Sequence, residues 1–157
     1  ENGVLYWYTG FVPADDGTNY THLLAVNPDG KGDITNSNVI WKKLDKTSSN
    51  QMLTPVIKDG LIYTVTTMNT MMCIDATTGE EIWSTHMNAA FNASPVYING
   101  NIWFFSSKGE VLVLKAGRKY EVVAQNQMDS GIWAIPAVLR NSMILRTQKY
   151  LYRIEGK

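Results

Sequence analysis

Few residues in this chain are spaced for chemistry. Asn27-Pro28-Asp29-Gly30-Lys31-Gly32-Asp33 sets oxygen-bearing side chains at alternate positions, the spacing by which calcium loops wrap a hard cation. Lys31 occupies a ligand position and no bidentate Glu follows, so the segment reads as a turn-rich loop and no metal site is expected. His22 and His86 stand apart, without the further ligands a zinc site needs or the partner a general base needs. No Ser-His-Asp ordering, phosphate loop or Gly-rich dinucleotide turn occurs, and no catalytic residue is assigned. Cys73 is the single cysteine, which rules out an internal disulfide. Within Met71-Met72-Cys73-Ile74 it reads as a small buried hydrophobe.

Three apolar residues have a more telling placement. Trp133, Phe91 and Met52 each stand just before one copy of a repeated phrase. Thr54-Pro55-Val56-Ile57-Lys58-Asp59-Gly60-Leu61-Ile62-Tyr63 is echoed by Ser94-Pro95-Val96-Tyr97-Ile98-Asn99-Gly100-Asn101-Ile102-Trp103. A looser copy is Ile135-Pro136-Ala137-Val138-Leu139-Arg140-Asn141-Ser142-Met143-Ile144. Prolines 55, 95 and 136 lie 40 and 41 residues apart. A period of about 40 residues with hairpin chemistry inside each unit is that of a β-propeller blade.

The elements that must position these residues follow from the turns. Asn-Gly and Asp-Gly suit type I′ hairpins, whose two central residues both need φ > 0. In the second unit, Thr54–Ile57, Leu61–Thr66, Met71–Ile74 and Glu81–Ser84 read as four antiparallel strands, one blade. The third unit repeats the plan, from an inner strand at Ser94–Ile98 to an outer strand at Tyr120–Ala124. The first enters at the Asn2-Gly3 turn and so lacks an inner strand; the fourth stops before an outer strand. The blade units are expected at about 1–51, 52–91, 92–132 and 133–157, with 14 strands in a single propeller segment. Because blades bury their faces against neighbours, an open arc exposes two apolar faces. The chain is therefore expected to be the C-terminal part of a larger ring, or to close one with a second copy. Ala14-Asp15-Asp16-Gly17-Thr18-Asn19 reads as a rim insertion.

Composition narrows the partners. The 157 residues are 45% hydrophobic, with 14 basic and 14 acidic side chains. That balance disfavours nucleic acid. Charge is nonetheless uneven: from Lys115 to Lys157 there are eight Lys/Arg against three Asp/Glu. No apolar run approaches the ~20 residues of a membrane-spanning helix. The start at Glu1, with no Met or signal-like segment, fits a processed precursor or a cut piece.

Asp75-Ala76-Thr77-Thr78-Gly79-Glu80-Glu81-Ile82-Trp83 resembles the repeat of the PQQ-type (quinoprotein-like) β-propellers, in which an Asp and a Thr-Gly precede an apolar-Trp pair. The likeness extends over nearly the whole chain, and the closing Arg146–Ile154 segment resembles the last blade of secreted bacterial members of seven or eight blades. The resemblance implies an all-β propeller in which Trp83 and Trp41 lock blades, Gly79 permits the loop and Asp75 ties its backbone. Val123 falls at the Trp position of the third unit and Lys115 replaces its Asp, so that junction is expected to pack differently.

The resemblance also frames function. Family members include a scaffold lipoprotein of outer-membrane-protein assembly, and quinone-dependent dehydrogenases with PQQ and calcium on the axis. This chain has no Cys-Cys pair, and the acidic ligand set cannot be placed on it. The expected role is a non-catalytic docking module of the bacterial periplasm or exterior, with Trp133, Phe91 and Met52 at the mouth of the axis facing a protein or glycan. No cofactor is expected in this segment. The alternatives are part of a quinone-dependent dehydrogenase, and a carbohydrate-binding or carbohydrate-active propeller.

Overall fold

A computed structural model describes residues 1–9, 12–13, 19–45, 53–66 and 68–156. Among them are fifteen strands, no helix and four antiparallel sheets. The first sheet holds β1 (Leu5–Tyr8), β2 (Val12–Pro13), β3 (Asn19–Val26) and β4 (Val39–Asp45). Strand β3 lies centrally, with β4 on one side and β1, continued by β2, on the other. The second sheet is β5 (Val56–Lys58), β6 (Leu61–Val65), β7 (Thr70–Asp75) and β8 (Glu81–His86), in chain order. The third repeats that order with β9 (Phe91–Ile98), β10 (Asn101–Ser106), β11 (Glu110–Lys115) and β12 (Val122–Gln127). The fourth has β13 (Ala137–Val138), β14 (Ser142–Arg146) and β15 (Leu151–Glu155). These are the blades of a β-propeller, two of four strands in simple meander order and two partial.

The strands form where the sequence places its turns. Asn2-Gly3, Asp59-Gly60 and Asn99-Gly100 all have positive φ at both residues, from 47° to 82°, as a type I′ hairpin requires. One extra strand, β2, precedes the expected 14–19 insertion, of which residues 14–18 lie outside the described residues and Asn19 opens β3. The expected strands at Ser94–Ile98 and Tyr120–Ala124 are shifted: β9 begins at Phe91, and β12 runs from Val122 to Gln127.

Register shows how closely the units match. Tyr6 pairs Ala25, which pairs Trp41; Tyr63 pairs Cys73, which pairs Trp83; Trp103 pairs Val113, which pairs Ala124. An irregularity follows Ala25, Cys73 and Val113 alike, where each sheet meets its outer strand. This corrects the third unit: Ala124, not Val123, holds the Trp position. The preceding loop is one residue longer, because Lys115 N–H closes it on the Glu121 carbonyl whereas Asp75 N–H closes on Glu80. Val123 faces solvent instead.

The core lies between blades. Leu23, Ile62, Ile74 and Ala76 fill the first junction, with Tyr6, Tyr8 and Trp41 packed against them. Tyr63, Met71, Cys73, Ile102, Phe104 and Leu114 are among those filling the second. Phe105, Val111, Val113, Ile132, Met143 and Leu145 fill the third. Strand alternation sends successive residues to opposite junctions, so Ile62 and Tyr63 belong to different clusters. Burial pushes the Cys73 thiol up to about 11 and the Tyr63 phenol up to about 12. Cys73 is thus a packing residue and not a nucleophile at neutral pH.

Candidate functional site

Ile132 and Trp133 are neighbours with opposite fates. Ile132 is fully buried; its N–H donates to the Ser106 carbonyl and it bridges to Thr147. That anchor turns Trp133 outward, where it is 57% exposed. Gly131 makes the turn possible: a Cβ there would meet the Ser107 carbonyl oxygen at 2.2 Å and the Trp133 indole nitrogen at 3.2 Å. Trp133, Ala134, Arg146, Thr147 and Gln148 line a cleft of about 210 Å³. Its far wall is held by Thr147, whose hydroxyl accepts from the backbone N–H of Lys149 and Tyr150. Asp129 braces the approach by accepting from the Tyr152 and Ser130 hydroxyls at 2.8 and 2.9 Å. Burial would raise its carboxyl, but these hydrogen bonds outweigh that and hold it below the usual range.

The other two residues expected beside Trp133 are not gathered with it. Phe91 lies inside β9, 7% exposed, with its ring edge-on to Phe104 at 6.4 Å. The inner strand starts earlier than its Pro-Val phrase suggests, and this draws Phe91 into the second junction. Met52 lies outside the described residues. What surrounds Trp133 is instead Arg146, with Leu151 paired to Arg146 across the strands and 71% exposed. Sequence reading missed these two because β14 and β15 looked like ordinary blade strands.

The positions expected to hold blades together make specific contacts. The Trp41 indole N–H donates to the Ala76 carbonyl at 2.9 Å. Its ring lies so close to Gly79 that a Cβ there would be 2.8 Å from Cδ2 and Cε3. Gly79 also has φ +75°, so backbone and neighbour both demand glycine. Asp75 Oδ1 accepts from the N–H groups of Thr77 and Thr78, and Oδ2 takes the Arg118 guanidinium at 2.8 Å. Arg118 chiefly, helped by those N–H groups, holds the Asp75 carboxyl below its ordinary value. Trp83 stacks edge-on against Tyr120 at 5.3 Å, and Gly117 N–H donates to the Tyr63 hydroxyl at 2.7 Å. Apart from the bonds of Asp75 to Thr77 and Thr78, which close its own loop, these contacts join one sheet to the next.

The 27–33 loop uses its side chains on itself. Asn27 and Asp33 accept from Asp29 and Thr35 N–H, and the Asn38 amide spans the Asn27 and Asp29 carbonyls. No group of three His, Cys, Asp or Glu side chains among the described residues is arranged to hold a metal. No described helix is long and apolar enough to cross a membrane.

Repeated four-stranded blades with a Trp lock and an Asp-x-x-x-Gly loop define a PQQ-type propeller. The chain belongs to the family described as outer membrane protein assembly factor BamB, which matches residues 25–128. The chain's fold is similar to that of BamB from Moraxella catarrhalis, with a TM-score of 0.68 and 14% identity over 94% of this chain and 46% of that one. It also resembles the computationally designed Ika4 protein, with a TM-score of 0.62, 13% identity and coverage of 94% and 91%. Among curated proteins it is 26% identical over 108 residues to the dehydrogenase subunit of a quinone alcohol dehydrogenase from Gluconacetobacter polyoxogenes. That match covers 62% of this chain and 14% of the relative, so the chain spans a small part of that relative's length.

Proposed function

We infer that this chain is a non-catalytic docking module, a rigid propeller segment that presents a surface to a protein partner in the bacterial envelope. Membership of the assembly-factor family is the observation that carries the reading. The surface that supports it is the exposed Trp133 beside the Arg146 cleft, with Leu151 alongside. Exposed aromatics flanked by arginine are the residue types that anchor protein interfaces. A photo-crosslinking side chain at position 133, in the intact protein in its native envelope, tests this. A discrete protein adduct is expected there and not from position 119, on the exposed loop of the third blade. No adduct at 133, or equal labelling from both, overturns the reading.

A second reading comes from the quinone dehydrogenase relative. It requires a quinone and calcium on the propeller axis, and the described residues offer no acidic cluster for the ion. Under the docking reading, PQQ with calcium leaves the thermal transition and the visible absorbance unchanged. A calcium-dependent shift in both would favour the dehydrogenase. Binding on a glycan array that is lost in Trp133→Ala would move the partner from protein to carbohydrate.

A further inference from the structure

We draw no further inference here: the strongest candidate, the cleft of about 520 Å³ between the third and fourth sheets, lined by Arg140 and by Trp103 with its unpartnered indole N–H, opens beside Gly156, the last described residue, where nothing in the structure shows what covers it.

Discussion

At the scale of single residues, glycine and tryptophan are coupled across a blade junction. Gly79 looks local in the sequence, a residue that lets a loop adopt positive φ. In the fold it is also the floor on which the Trp41 ring rests. Gly79→Ala is therefore expected to cost more than about 1 kcal/mol, through an alanine forced to positive φ and through collision with the indole. The two causes separate in a double-mutant cycle read by chemical denaturation. In a Trp41→Ala background the collision is gone, so Gly79→Ala should cost less there than in the wild type; purely additive losses would mean the indole does not press on Gly79. Arg146 and Arg153 show the limit of reading residues singly. Both look like ordinary surface arginines, and only their register shows that they stand where the third sheet has buried Phe105 and Val113.

At the scale of elements, the loop from β7 to β8 is tied forward to the third sheet. Asp75 binds its own loop through two N–H groups and reaches Arg118 on the loop after β11. Its pKa is lowered in the folded chain. A depressed carboxylate stabilises fully above its unfolded pKa, near 3.9, and that stability is lost as pH falls through the lower folded value. Asp75→Asn should thus be destabilising at pH 7, with the gap beginning to close only below about pH 4 and vanishing once pH is under the lower folded value. Thermal unfolding at the two pH values checks this, and a gap that persists in acid would assign the effect to packing. Arg118→Ala alone should cost no more than about 1 kcal/mol, because its guanidinium is exposed. The hairpins were legible from sequence because a type I′ turn needs only two adjacent residues. The Trp-equivalent position on the outer strand of the third sheet was misplaced by one residue, Val123 for Ala124, because its register depends on loop closure between Lys115 and Glu121, which residue types do not announce.

At the scale of the whole molecule, the three junctions are not equal. The first two have Trp41 and Trp83 seated against the following sheet, and the Ser94 hydroxyl accepts from Thr54 N–H to link β9 with the entry to β5. The third has Ala124 at the Trp position and Ile135 at the Ser94 position. A cleft of about 520 Å³ remains beside it, lined by Ile98, Trp103, Leu139, Arg140 and Ile154 among others. The Trp103 indole nitrogen is buried there without an acceptor, a cost of about 1–3 kcal/mol. The Trp83 indole nitrogen at the second junction bears the same cost, so the missing Trp and Ser and the open cleft are what set the third junction apart. The fourth sheet is therefore expected to open before the rest. In native-state hydrogen exchange, amides of β14 should exchange at least ten times faster than those of β6 and β10, and uniform protection would show an equally firm junction.

The sequence by itself determined the repeat, the hairpin turns, the strand alternation and hence the propeller family, because each depends on residues near one another in the chain. It also singled out Trp133, together with Phe91 and Met52, as a candidate surface at the mouth of the axis. Tertiary structure decided what surrounds Trp133: Phe91 is withdrawn into the core, and Arg146 lines the cleft beside it. It decided too which face each strand residue turns to which neighbour. Local rules give a strand two faces, but only the packing of one sheet on the next says which is buried and against which neighbour.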